Sequence, residues 1–194
     1  MPKWLTSRKI WLLISGLALS AAVYVLLVAL APVYTPTHQP QAIVQKLQEA
    51  PKNKENRLYI PAIGVDVAIV EGDTEAVLEK GAWHRRPENG NPEKGGNFVL
   101  SAHRFQMGIT PQQTSAKSPF YHIDKLKEDD EIFVDYTNRR YIYKITRKYK
   151  VDRFAVAIEN PSAEAKMTLY SCDIRGEYAG REVIEAKPIS MSLL

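Results

Sequence analysis

No charged residue stands between Lys9 and Lys46, and from Ile10 to Ala31 the only polar side chains are Ser15, Ser20 and Tyr24. A run this apolar strongly limits where the chain can go. Its 22 residues, at a helical rise of about 1.5 Å each, just cross a hydrocarbon core of about 30 Å. Lys3, Arg8 and Lys9 precede it and no basic residue follows closely, so the positive-inside rule sets Met1 in the cytoplasm and the rest outside. Trp4, Trp11 and Tyr34 suit the two interfaces. The alternative is a cleaved signal peptide, with Ala29-Leu30-Ala31 as the cleavage site. Such peptides carry apolar runs of about 7–15 residues, so a retained anchor is the better reading.

The division that follows is a cytoplasmic N-terminus over 1–9, a transmembrane anchor over 10–31, an extracytoplasmic tether over 32–56 and a folded domain over 57–194. The tether reading rests on Pro32, Pro36, Pro40 and Pro51 with polar residues between them. Within it Ala42 to Ala50 allows a short helix, Ile43 and Leu47 sharing one face. An ordered arm packed on the domain is the alternative.

Charge narrows the partners. The net +4 comes largely from the three basic residues before the span; residues 10–194 carry 23 basic against 22 acidic side chains. There is no broad basic field, which argues against nucleic acid. A single cysteine excludes an internal disulfide and a cysteine-type zinc site, and leaves a reactive thiol or a small core residue.

From Leu58 onward the pattern is one of short β runs bounded by turn residues. They are Arg57 to Ile60 before Pro61, Val65 to Val70, Phe98 to Ala102, Ile132 to Tyr136, Tyr141 to Tyr149, Met167 to Ser171 and Arg181 to Ala186. Thr74 to Lys80 and Phe120 to Leu126 suit short helical turns, Asp73 capping the first. Gln106 to Ser118 reads as a polar loop, and Thr137-Asn138-Arg139 as a hairpin turn. Many short strands with few helices imply a mainly β domain, a sandwich or a closed barrel.

Cys172 closes the run Met167 to Ser171, ahead of the glycine-containing segment Asp173 to Gly180 and the strand opened by Arg181. A thiol at a strand end, facing a loop, is placed to meet a substrate. Of the four histidines, His38 lies in the tether, His84 reads as a solvated turn residue, and His122 as a packing residue beside Tyr121. His103 ends its own apolar run, as Cys172 does, and two strand ends on one barrel rim can converge. Gly95-Gly96 lacks the Lys-Ser/Thr of a phosphate loop. The acidic residues Asp129-Asp130-Glu131, Glu159 and Glu164 read as solvated surface, with a calcium site as the alternative.

These features together resemble the sortases, the membrane-anchored cysteine transpeptidases of bacterial cell envelopes. Thr168-Leu169-Tyr170-Ser171-Cys172 matches the family's T-L-x-T-C with serine for the last threonine. Phe98 to His103 resembles the strand that ends in its catalytic histidine, and Arg181 stands where its essential arginine opens the final strand. Leu58 to Val65, Val77 to His84 and Gly95-Gly96-Asn97 are similar to further family segments. Leu126 to Ile132 resembles the L-x-x-G-D-x-I turn, but Glu128 and Asp129 replace Lys-Gly, so that turn lacks glycine's backbone freedom.

The resemblance implies a closed eight-stranded sortase-type β-barrel with short helices. It implies a Cys172 nucleophile, His103 as acid and base, and Arg181 as oxyanion donor, with Arg175 a loop charge. Thr168 and Ser171 would lie at the substrate, Thr168 also helping to fix the Cys172 strand. The expected reaction cleaves an LPxTG-like sorting signal and passes the protein to an amine, from a peptidoglycan precursor or elsewhere in the envelope. No cofactor is implied. No apolar segment follows Lys187 and no Asp-Pro-aromatic lid precedes the domain, which points to a housekeeping-type enzyme rather than a pilus-polymerising one. The rival functions are a thiol hydrolase with water as acceptor and a non-catalytic envelope-binding domain.

Overall fold

The computed structural model describes residues 7–35, 39–50 and 55–192. Trp4, Pro36, His38 and Pro51 lie outside them. Nine strands form one sheet: β1 Arg57–Ile60, β2 Val65–Val70, β3 Ala82–His84, β4 Gly90–Asn91, β5 Gly95–Ser101, β6 Glu131–Tyr136, β7 Arg139–Val151, β8 Lys166–Asp173 and β9 Gly176–Ser192. Their order is β3-β2-β1-β6-β7-β9-β8-β5-β4, and β3 also pairs with β5. That last pairing closes eight strands into a barrel; β4 is a two-residue ribbon on the outside of the ring. The pairs β2–β3 and β5–β8 are parallel, and the others antiparallel.

The interior is the expected apolar set. Leu58, Ile60, Val65, Phe98, Leu100, Ile132, Val134, Met167, Leu169 and Ile184 pack together, all at 1% exposure or less. Side chains alternate across a strand, so Phe98 and Leu100 of β5 and Met167 and Leu169 of β8 point in. Val99, Tyr170 and Val183 point out, under a second apolar layer with Ile158. This outer layer explains why both strands read as continuous apolar runs rather than alternating ones.

The turns repay a closer look. Thr137 and Asn138 both have positive φ, 48° and 63°, the two-residue turn whose twist matches a hairpin. Asp129 has φ 73°, so the turn that resembles a glycine turn keeps the left-handed conformation with an aspartate in it. The segment expected as a loop from Asp173 to Gly180 is mostly strand. β8 and β9 turn at Ile174-Arg175, and residues 177–180 bulge out between the pairs Asp173↔Gly176 and Cys172↔Arg181. The loop expected over 106–118 contains a helix, α3 (Pro111–Lys117), capped by Thr110, whose side chain accepts from the Gln113 N–H.

The N-terminal part departs furthest from expectation. Helix α1 (Ser7–Tyr34) runs three residues past Ala31, and Lys9–Tyr34 is long and apolar enough to cross a membrane. Its outer end packs on α3: Val28 and Ala31 are buried, and the Thr35 and Ser115 hydroxyls lie 3.0 Å apart. Helix α2 (Pro40–Leu47) buries Ile43 against the domain. Lys46 pairs with Asp66, and Arg140 Nη1 donates to the carbonyls of Leu47 and Glu49 at 2.6 and 3.0 Å. The described parts of 32–56 are thus an ordered arm and not a free tether. Ile43, the Lys46–Asp66 ion pair and the two Arg140 hydrogen bonds supply the contacts that a proline-rich composition conceals.

Candidate active site

Cys172 is exposed near the end of β8. Its register partner across the β8–β9 hairpin is Arg181, and paired strands lie about 5 Å apart. Both side chains therefore leave the same face of the sheet. The Arg181 guanidinium lies over the Tyr170 ring, 5.0 Å from its centroid, a stacking contact that holds the planar fork.

His103 reaches the same place from β5. The parallel β5–β8 ladder ends at Ser101↔Tyr170. One residue further, the Ser171 hydroxyl donates to the Ala102 carbonyl at 2.9 Å. That bond extends the pairing beyond the ladder and sets His103 beside Cys172. Thr168 works deeper in the same strand. Its hydroxyl donates to Asn97 Oδ1 at 2.7 Å, while Asn97 Nδ2 donates to the carbonyls of Ile158 and Asn160 at 3.0 and 2.8 Å. Thr168 and Ser171, expected at the substrate, are buried at 0% and 1% exposure and do not line the cleft. Their hydroxyls tie β8 to β5 and to the segment above.

The cleft, about 430 Å³, is lined by Cys172, His103 and Arg181 with Leu78, Trp83, Ser101 and Tyr170. Its rim carries Arg153, held between the rings of Phe154 and Tyr178 at 4.4 and 4.2 Å. Burial pushes the His103 imidazole below its ordinary pKa, while the carboxylates of Glu79 and Glu75 pull it back up and Lys117 opposes them. Glu79 Oε1 lies 3.9 Å from His103 Nε2, and its other oxygen is held by Lys117 at 2.6 Å. The hydrogen bond from Lys117 keeps Glu79 ionised. A nucleophilic thiol, a titratable imidazole and a fixed guanidinium in one cleft can support acyl transfer. Among the described residues no group of acidic, histidine or cysteine side chains could hold a metal ion.

A sortase-domain family model matches residues 58–189, most of the chain, from the second residue of β1 to near the end of β9. This chain belongs to the sortase family. It is 34% identical over 94 residues to sortase SrtE1 of Streptomyces coelicolor, covering 45% of this chain and 24% of that protein. It is 25% identical over 116 residues to sortase A of Listeria monocytogenes, covering 60% and 48%. The matched region thus spans about a quarter to a half of those relatives. A crystal structure of the Listeria monocytogenes enzyme shares the fold, with TM-score 0.59 and 22% identity over 73% of this chain and 92% of that one. A sortase D5 transpeptidase of Clostridium perfringens gives TM-score 0.59 at 25% identity, covering 79% and 90%.

Arg175, His84, His122 and Glu159 of this sortase do not line the cleft. Arg175 is bound to Asp173, Nε to Oδ1 at 2.9 Å; the Arg175 hydrogen bonds hold the Asp173 carboxyl well below the usual carboxylate range. His84 corrects the solvated-turn reading. It is buried in β3, bonded to Glu71 and to the Gly90 carbonyl at 3.0 Å each, and meets Phe98 edge-on. His122 packs edge-on to Tyr121. Glu159 corrects the solvated-acid reading. Burial alone would raise its pKa, but bonds from Tyr170, Arg85 and Arg86 outweigh that and lower it. Those bonds fasten the segment above β8 that shapes one wall of the cleft. Asp129 and Glu164 are exposed partners of Lys144 and Lys187.

Sequence reasoning assigned no role to Glu79, Asn97 or Arg153. Asn97 stood in a quoted family segment, Gly95-Gly96-Asn97, and its full burial beside a strand threonine is the kind of pairing that a polar residue inside an apolar run can signal. Glu79 sits in a short 3-10 helix, Glu75–Lys80, among other charged residues, with nothing to mark it.

Proposed function

We propose that this sortase is a membrane-anchored transpeptidase acting through a Cys172 thioester. The Cys172 thiolate attacks the Thr–Gly carbonyl of an LPxTG-like sorting signal. Arg181 donates to the oxyanion that forms. His103, as imidazolium, gives its proton to the departing glycine amine, leaving the acyl group on sulfur. An amine of the cell envelope, such as one from a peptidoglycan precursor, then attacks the thioester. His103 takes the proton from that amine, and the thiolate leaves. The reactive form is the one in which the Cys172 thiolate and the His103 imidazolium coexist. α1 holds the enzyme in the membrane with Met1 inside and the barrel outside, where surface proteins bearing sorting signals pass.

The observation that carries the reading is the convergence of three strand ends. Cys172 faces Arg181 in register, and the Ser171–Ala102 bond brings His103 alongside. The test is intact-mass analysis of the enzyme with sorting-signal peptides and several amine acceptors. An acyl adduct on wild type that disappears in Cys172→Ala, with amide product formed in preference to hydrolysed peptide, is the expected result. Adduct formation that survives Cys172→Ala overturns the nucleophile, and product that is hydrolysed peptide alone, whatever the amine, overturns the transpeptidase in favour of a hydrolase.

A further inference from the structure

The segment between His103 and α3 carries three large apolar side chains in strict alternation, Phe105, Met107 and Ile109, exposed at 41%, 45% and 80%. From Phe105 to Ala116 there is no charged residue; Lys117 is the next. Exposed alternating apolar groups on an uncharged loop call for something to cover them.

The position of the loop says what does. The Tyr24 hydroxyl donates to the Ile109 carbonyl at 3.0 Å, and Tyr24 belongs to the apolar run of α1. About 20 residues fill the hydrocarbon core, and any such window within 10–31 includes Tyr24. Tyr24 then lies five to seven residues inside the outer boundary, or about 8–10 Å at the helical rise. Ile109, bonded to it, sits at that depth. α3 climbs from there along α1, and Ser115 meets Thr35 at the outer end. Lys117 follows at the level of Glu79.

Part of the loop's backbone is also paired within the protein. Backbone polar groups in hydrocarbon must find partners within the protein. The Gln106 N–H donates to Ser118 Oγ at 2.9 Å, the Gly108 N–H to Thr114 Oγ1 at 3.0 Å, and the Ile109 N–H to Gln113 Oε1 at 3.0 Å. The Thr110 carbonyl accepts from the Thr114 N–H and hydroxyl.

We infer that residues 105–110 are immersed in the outer leaflet, with Phe105, Met107 and Ile109 against acyl chains. The inference rests on the anchor reading of α1. It makes the barrel a two-point membrane protein, spanned by α1 and wedged by this loop, with His103 two residues from the lipid boundary and the cleft opening at the membrane surface.

The full chain reconstituted in phosphatidylcholine–phosphatidylglycerol vesicles tests it. In a Cys172→Ala background, Ile109→Cys, Met107→Cys and Phe105→Cys each provide a single thiol for an environment-sensitive fluorophore. Leu17→Cys reports the middle of α1, and Glu164→Cys, beyond the far end of β5, reports water. The expected result is blue-shifted emission at 105, 107 and 109, quenched by lipids brominated on the upper acyl chain, with no quenching at 164. Water-like emission at all three loop sites, with the Leu17 probe quenched by deep bromines, overturns the immersed loop and leaves the anchor standing. A Leu17 probe that no lipid quenches overturns the anchor and the loop together.

Discussion

Replacing Thr168 by valine separates the two roles that its place in the motif allows. Valine has the same shape and lacks the hydroxyl. In the structure that hydroxyl is the donor to Asn97 Oδ1 at 2.7 Å, and both residues are fully buried. Asn97 cannot turn to find another partner, because its amide nitrogen already serves the carbonyls of Ile158 and Asn160. Thr168→Val therefore strands a buried carbonyl oxygen, at a cost of about 1–3 kcal/mol. For a chain of this size each kcal/mol lowers Tm by about 2–4 °C, so a fall of roughly 2–12 °C is expected. The assay is thermal unfolding of the full chain in detergent, followed by intrinsic fluorescence, alongside steady-state transpeptidation well below Tm. KM for the peptide should change little, since Thr168 does not line the cleft. An unchanged Tm with a severalfold rise in KM would refute the reasoning and return Thr168 to the substrate.

Two further outcomes concern the charges around the thiol. Arg181→Ala should lower kcat/KM by about 10²–10³, the range for a lost oxyanion donor, and Arg181→Lys should lose most of the rate because the planar fork is gone. Arg175→Ala, which breaks only the exposed pair with Asp173, should lose under about tenfold; the reverse ranking in steady-state transpeptidation overturns the assignment. Glu79 raises the His103 pKa from 3.9 Å, so Glu79→Gln should disfavour the imidazolium. With water-like screening that contact is worth about 1 kcal/mol, and Lys117 on the same carboxylate offsets part of it. The pH profile should show its acid limb moved to lower pH and its plateau down by about two- to fivefold; a limb moved to higher pH would contradict the electrostatics.

What the sequence discloses here follows from what apolar patterning can encode. Seven of the eight barrel strands are legible as short runs stopped by Pro61, Gly64 or a polar turn, and Cys172 and His103 stand out as chemistry at the ends of such runs. The hydroxyls of Thr168 and Ser171 are ambiguous in the sequence for a physical reason. A threonine or serine beside a catalytic position looks the same whether it faces substrate or a neighbouring strand, and only the partner, Asn97 or the Ala102 carbonyl, decides. His84 reads as a turn residue because Gly81 before it and Arg85-Arg86 after it bound a strand of only three residues. The described residues of the arm read as a tether because their attachment depends on Asp66, Asp135 and Arg140, which lie far away in sequence.

β9 pairs with β7 on one side and β8 on the other, and everything else in the barrel precedes it. On the proposed topology the domain follows α1 across the membrane, so eight strands emerge before the one that joins them. Until residues 176–192 arrive, β7 and β8 are open edges, ready templates for pairing with another chain. Arg181 arrives on that same strand. The barrel closes, and Cys172 meets the Arg181 guanidinium, in a late event that includes the distant β7–β9 pairing, the slow kind of contact to form. On the proposed reading, a part-exported molecule is vulnerable to association yet lacks Arg181, so acyl chemistry would wait until β9 has joined the barrel.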